Sequence, residues 1–200
     1  MYIIGAGGHG KVVAELAELN GKTIKGFIDD DSSRNTVLSY KVSTVFPAEP
    51  VMAVVAIGNN MVRREKALEN KLVFCSLIHP KACLSSRTII GEGTVVVGGA
   101  TINIDARIGR HVIINTNSSV GHDCEIGDFV HIGPNVALAG NVKVGEGTHI
   151  GLGAAVIQGV SIGKWCVIGA GSVVIKDVPD GAMVVGNPAR IIKTQIIETV

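Results

Sequence analysis

The chain has 200 residues, a formal net charge of +1 and a mean hydropathy of +0.41. That length holds a core and one or two domains, and the near-neutral charge without basic runs argues against nucleic acid as a partner. No stretch reaches the roughly 18 uninterrupted apolar residues of a membrane span, and the start, MYIIGAGGHGK, shows no signal peptide, so we expect a cytoplasmic protein without membrane insertion.

Residues 1–76 read as a small α/β domain, a Rossmann-like unit with a parallel sheet. Tyr2 to Ile4 form a short apolar strand, and the run from Gly5 to Gly10, GAGGHG, is a glycine-rich turn. The spacing predicts a helix over Lys11 to Asn20, stopped by Gly21. A second strand over Thr23 to Ile28 ends in Asp29, Asp30 and Asp31. A third, Val51 to Ile57, leads through Gly58, Asn59 and Asn60 into a charged helix over Met61 to Asn70. Leu72 to Leu77 read as a last strand.

Gly5, Gly7 and Gly10 match GxGxxG between a strand and a helix, with an acidic residue about 20 positions on. Alone, this points to a dinucleotide, with phosphate at the helix N-terminus and Asp29 at a ribose. The unit is only about half of a double βαβαβ fold, which favours a mononucleotide-sized site over NAD. The bland alternative is that the glycines merely permit close packing of helix on strand.

Residues 77–200 follow a different rule. Seventeen aliphatic residues recur every six positions from Ile78 to Val174 without an insertion, and four places after each stands only Ala, Ser, Thr, Cys or Val. Neither an α-helix nor a two-sided strand has that period; hexapeptide solenoids do. Each hexad would be one side of a triangular coil, with the aliphatic pointing inward and the small residue near the corner. Glycine follows the aliphatic directly in nine hexads and is expected to supply the unusual backbone angles of the corners. Residues eighteen apart then stack at about 4.8 Å, in between five and six coils. Cys124 and Cys166 occupy the small-residue slot and are expected as buried free thiols.

Of six histidines, His122 stands out. It lies in NTNSSVGHDCEI, two places after the inward Val120 and beside Asp123. An exposed imidazole next to a carboxylate suits a general base; the plain alternative is a solvated corner histidine. His131 and His149 are eighteen apart and should stack at one corner register. His9 sits in the glycine-rich turn, where it would face a bound phosphate or sugar. His79 and His111 read as structural or exposed. The β-helical carbonic anhydrases hold zinc through histidines that include a pair five residues apart. That spacing is absent among His111, His122, His131 and His149, so no metal is expected.

The ordered set GAGGHG, FIDD, AIGNN, NTNSSVGHDCEIGDFVHIGP and LAGNVKVGEG resembles one family over nearly the whole chain, from Tyr2 to about Arg190. These are the bacterial nucleotide-sugar acetyltransferases of sialic-acid O-acetyltransferase type, including UDP-4-amino-sugar N-acetyltransferases of glycan biosynthesis. The resemblance implies a left-handed parallel β-helix, a homotrimer with active sites between subunits, and acetyl-CoA as co-substrate with no permanently bound cofactor. Carried over by motif, His122 is the base and Asp123 its acidic neighbour, where some members carry Glu. His131, Gly140, Leu152, Ala170 and Arg190 would contact acetyl-CoA, with the Gly140 backbone donating to the carbonyl oxygen. Gly7, Gly8 and His9 would face phosphates and sugar, Asp29, Asp30 and Asn59 the nucleotide, and Asn117 the acceptor sugar.

The expected reaction is direct acetyl transfer to a UDP-linked 4-amino-4,6-dideoxy sugar. The alternatives are O-acetylation of a sialic acid or related sugar, and a non-catalytic scaffold.

Overall fold

The computed structural model describes residues 1–48, 50–68 and 72–195. The N-terminal unit has β1 (Tyr2–Ile4), α1 (Gly8–Leu19), β2 (Gly26–Ile28), β3 (Thr36–Val37), β4 (Tyr40–Ser43), β5 (Met52–Val55), α2 (Asn60–Leu68) and β6 (Val73–Phe74). Its sheet has the order β3-β4-β2-β1-β5-β6. Every pairing is parallel except the β3–β4 hairpin. A parallel sheet is covered on both faces, and here each face receives one helix. Val13, Leu16 and Ala17 of α1 bury against Ile3, Phe27 and Val54. On the other face Ala67 of α2 packs with Ile4, Ile28 and Val55.

Several sequence expectations need correction. Helix α1 starts at Gly8, inside the glycine-rich segment, because Gly7 serves as its N-cap. The second strand is confined to Gly26–Ile28. The β3–β4 hairpin was not anticipated: its turn is made by Leu38 and Ser39, both at positive φ (49° and 67°), without the Asn-Gly signal that such turns normally show. The last strand shortens to Val73–Phe74, whereas Leu77 already belongs to the solenoid. The expected end of α2 at Asn70 and the last five residues of the second domain lie outside the described residues.

The solenoid follows the hexads. Each two-residue strand ends on a hexad aliphatic, and three parallel sheets collect every third strand. Val95–Val96, for example, pairs with Leu77–Ile78 on one side and Ile113–Ile114 on the other. The inward column of Val96, Ile114, Ile132, Ile150 and Ile168 is buried, and so are the small-slot residues Ala106, Cys124, Thr148 and Ser172. Burial of each large aliphatic contributes about 1.5–3 kcal/mol. All four cysteines are free, with Cys124 and Cys166 buried as expected.

The corners work differently from the expectation. The left-handed residue is the third after the aliphatic, as in Asp105, His111, Asn117, Asp123, Phe129, Asn141, Gly147 and Trp165. The glycine beside the aliphatic has another duty. A Cβ on Gly91 would lie 2.6 Å from the Gly109 backbone, and one on Gly121 2.6 Å from Ala139 and Gly140. Successive coils approach too closely there for any side chain.

Both helices of the N-terminal unit touch the solenoid. The α1 cluster includes Leu77, Val95 and Val97, and the α2 cluster includes Phe129. At the second seam Arg63 is buried. Its Nε donates to the His111 carbonyl at 2.8 Å, and its Nη2 donates to the Phe129 carbonyl at 2.7 Å and to Asn60 Oδ1 at 2.9 Å. Its Nη1 donates to the Ile57 carbonyl at 2.9 Å. Asn60 Nδ2 adds a bond to the Gly147 carbonyl at 2.9 Å. The two units therefore form one continuous body.

Candidate active site

The parallel strands of the N-terminal unit end at a cavity of about 380 Å³. The glycine-rich turn and the segment after β2 form its walls, with Gly7, Gly8, His9, Asp29 and Asp30 in the lining as expected from sequence. Ligands of open α/β sheets bind at this end of the strands. Arg34, Phe46 and Lys66 also line it and were missed in the sequence. Arg34 sits in a polar loop, and Lys66 in the charged helix after β5. Lys66 Nζ lies 2.9 Å from Asp30 Oδ2.

The glycines of GxGxxG divide their work. A Cβ on Gly10 would run into the Gly5 carbonyl, so the third glycine allows α1 to press on β1. A Cβ on Gly7 would meet only the Arg34 guanidinium at 3.9 Å, and one on Gly8 would meet nothing. The space beside Gly7 and Gly8 is open to a ligand. Asn59 is not in the lining. Its Oδ1 accepts from the Val62 N–H at 3.1 Å, which caps α2.

A group of histidines lies at the junction with the solenoid. His131 and His149 stand opposite each other in adjacent strands, with ring centroids 4.8 Å apart in an edge-on arrangement. The eighteen-residue spacing predicted the pair, but it lies on a flat face and not at a corner. His131 Nδ1 faces the Gly58 carbonyl at 3.4 Å and Nε2 faces Asn115 Nδ2 at 3.2 Å. Both ring nitrogens thus have protein partners within the chain. Burial, then the neighbouring His149 and Arg63, hold its pKa down at about 3. His9 is pulled to about 4 by burial and by the Arg63 charge, and its buried Nε2 has no partner among the described residues. His111 is not exposed: it stacks on Phe129 with ring planes 3° apart, and Phe74 meets it edge-on.

His122 and Asp123 occupy a different corner. Neither lines the cavity. His122 Nδ1 is 2.7 Å from Asp123 Oδ2, and both side chains are about 60 % exposed (61 % and 58 %). A carboxylate only accepts, so Nδ1 carries the proton and Nε2 is left as an acceptor. The ring lies over Gly140, where a Cβ would collide with it. The Gly140 N–H donates to no backbone carbonyl among the described residues. A base with a fixed tautomer, next to an open backbone donor, can take a proton and face a developing oxyanion.

Asn117 is an exposed left-handed corner residue on the third edge, with Oδ1 over Gly99. Leu152 and Ala170 are exposed and stack eighteen apart along that edge. Arg190 opens an exposed strand, Arg190–Thr194, antiparallel to Ala182–Val185, and donates to the Ala189 carbonyl. Among the described residues no cluster of three or more His, Cys, Asp or Glu is arranged to hold a metal ion. No helix among them is long and apolar enough to cross a membrane.

Fold and site together define a hexapeptide-repeat acyltransferase with an α/β unit at its N-terminus. The family model of the PglD N-terminal domain matches residues 1–69, and that of the bacterial transferase hexapeptide (six repeats) matches residues 105–140. A UDP-N-acetylbacillosamine N-acetyltransferase from Bacillus subtilis (strain 168) is 42 % identical over 107 residues. That alignment covers 48 % of this chain and 50 % of the relative, so the chain spans about half the length of this curated relative. Among solved structures, a histidine-to-asparagine variant of perosamine N-acetyltransferase from Caulobacter crescentus, in complex with CoA and GDP-perosamine, is 40 % identical. It superposes with a TM-score of 0.90 and covers 95 % of both chains. The acetyltransferase domain of PglB from Neisseria gonorrhoeae FA1090, in complex with acetyl coenzyme A, is 39 % identical, with a TM-score of 0.87 over 96 % of this chain and 98 % of that one. The chain belongs to this family of hexapeptide-repeat sugar N-acetyltransferases.

Proposed function

We propose that the protein transfers the acetyl group of acetyl-CoA to the amine of a nucleotide-linked 4-amino-4,6-dideoxy sugar in bacterial glycan biosynthesis, with UDP as the nucleotide. The N-terminal cavity holds the nucleotide and His122 is the general base. The observation that carries the chemistry is the His122–Asp123 bond, which leaves Nε2 as a proton acceptor beside the Gly140 N–H. The sugar amine attacks the thioester carbon and passes a proton to Nε2 as the C–N bond forms. The oxyanion faces the Gly140 N–H. Collapse breaks the C–S bond, and the thiolate takes the proton from the imidazolium and leaves as CoA thiol.

The unit that holds the cavity docks through α2 on one edge of the solenoid, and His122 is on another. Helix α2 docks on the edge of His111, Phe129 and Gly147, whereas Asp123 is in the corner column of Asp105 and Asn141. This separation supports a homotrimer in which a neighbouring copy brings its His122 to the cavity. Acetyl-CoA would then run along the exposed edge of Leu152 and Ala170 towards Arg190.

The test mixes the protein and acetyl-CoA with UDP- and GDP-linked amino sugars and with sialic acids, and follows thiol release. Turnover on a nucleotide-linked amino sugar is expected, and His122→Ala should lower kcat by about 10²–10⁴-fold. Turnover on sialic acid alone would replace this reading by O-acetylation. No turnover with any acceptor would leave a scaffold.

A further inference from the structure

The acidic run after β2 does not simply face the cavity. Asp29 Oδ2 accepts from the Ala6 N–H at 2.6 Å and its Oδ1 accepts from the Asp31 N–H at 3.0 Å. Asp31 Oδ2 accepts from Arg34 Nε at 2.9 Å, and its Oδ1 takes the Ser33 N–H and hydroxyl. Arg34 Nη1 then donates back to the Ala6 carbonyl at 2.9 Å. Ala6, Asp29, Asp31 and Arg34 thus close a ring of hydrogen bonds. The ring ties the glycine-rich turn to the loop before β3 and fixes the plane of the guanidinium.

Two nitrogens of that guanidinium are committed, while Nη2 makes no hydrogen bond among the described residues. Arg34 lines the cavity described above and also a second, wider depression of about 690 Å³. The two share Gly7, Gly8 and Arg34. Asp29, Asp30 and Lys66, which pairs with Asp30, line the first cavity, whereas the second has Lys11 and Arg34 and no carboxylate. A molecule lying across Gly7 and Gly8 therefore meets carboxylates, one ion-paired lysine and an apolar wall at one end and cations without a carboxylate in the lining at the other. That polarity matches a nucleoside joined to a diphosphate.

We propose that Arg34 recognises the diphosphate of the substrate, with Nη2 as the donor and the Asp29–Asp31 ring holding it in place. The assignment rests on the nucleotide-sugar reading above. Arginine suits it because its planar fork keeps two donors on protein while a third meets a phosphate oxygen; a lysine has a single point of charge.

Binding of uridine, UMP and UDP, and of the guanosine series, to the full chain by calorimetry tests this. The wild type should prefer the diphosphate of the accepted base over its monophosphate. Arg34→Gln should cut that preference by about 10- to 100-fold, the range of a charge-assisted hydrogen bond. Arg34→Lys should restore only part of it, and the KM for acetyl-CoA should stay within about twofold of wild type in both, because Arg34 is not on the edge of Leu152, Ala170 and Arg190 proposed for acetyl-CoA. Unchanged discrimination in Arg34→Gln, with wild-type binding intact, would overturn the role of Arg34 alone. A wild type that binds no nucleotide of either series would overturn the nucleotide-sugar reading and this assignment with it.

Discussion

Arg63 Nη2 donates to the Phe129 carbonyl at 2.7 Å, a bond that joins residues 66 apart and crosses the seam between the α/β unit and the solenoid. Phe129 is a left-handed corner residue, with φ 58°. His111, one coil away and also left-handed, offers its carbonyl to Nε of the same guanidinium. The corner geometry of the solenoid thus builds the socket for a helix residue of the other unit. Burial lowers the Arg63 pKa to about 9, which leaves it charged at neutral pH, and backbone carbonyls, with the side chain of Asn60, meet that charge.

Arg63→Met should therefore be costly. It removes the guanidinium and leaves the Ile57, His111 and Phe129 carbonyls without these partners. With hydrogen bonds to charged groups contributing about 1.5–3 kcal/mol each, a loss of at least about 3 kcal/mol is expected. Urea unfolding followed by circular dichroism measures it. Arg63→Lys should recover little, because one ammonium cannot reach carbonyls in so many directions. A Met variant as stable as wild type would show that the socket contributes nothing to docking.

The His122–Asp123 pair allows a clean substitution. Asp123 is left-handed, with φ 58°, and Asn141 adopts the same conformation one coil away. Asparagine tolerates that backbone, so Asp123→Asn should keep the melting temperature within a few degrees. Its amide no longer enforces a proton on Nδ1, and kcat should fall about 10²-fold or more while the KM for acetyl-CoA changes little. Wild-type kcat in this variant would remove Asp123 from the reaction.

Acid should destabilise the protein in a defined window. His9 and His131 have folded pKa values near 4 and 3, both lowered chiefly by burial. His131 is faced by Gly58, Asn115, His149 and Arg63, and His9 lies within reach of the same arginine; none of these is a carboxylate. In the unfolded chain both titrate near 6.5. Above that pH both states are neutral and stability is whole. Below it only the unfolded chain takes up protons, so stability falls by about 1.4 kcal/mol per pH unit for each histidine until the folded pKa is reached. Unfolding midpoints in urea at pH 7.5 and pH 5 should differ accordingly. Equal midpoints would mean that these rings are solvated.

How much of this was visible in the sequence depends on range. The hexad register placed His131 opposite His149 and buried Cys124 and Cys166, because each coil repeats its neighbour at a fixed offset. Within the hexad the register did not say which residue makes the turn. Coil-to-coil contact at Gly91 and left-handed φ at Asp105 both favour small or polar residues, and only coordinates separate them. The hairpin at Leu38–Ser39 has no glycine or asparagine at its turn. Arg63 sits in a helix with Arg64, Glu65 and Lys66, where charge normally means solvent. Its acceptors across the seam lie 48 and 66 residues away, and no local pattern reports them. Arg34 was hidden similarly, since its role depends on a hydrogen-bond ring that closes through the glycine-rich turn.

The glycine-rich turn finally separates ligand space from packing. Gly10→Ala would press a methyl into the Gly5 carbonyl and should force α1 off β1, destabilising the fold by about 1–3 kcal/mol. Gly7→Ala meets no such obstacle: φ at Gly7 is −81° and the nearest atom to a Cβ is Arg34 Nη1 at 3.9 Å. Its melting temperature should match wild type. If a diphosphate lies against that backbone, the methyl occupies its place, and the KM for the nucleotide sugar should rise by about 10-fold or more, as for a steric clash of 1–3 kcal/mol. Thermal melts and steady-state kinetics on the two variants give the answer. A Gly7→Ala enzyme with unchanged KM would mean that no diphosphate lies against the Gly7 backbone.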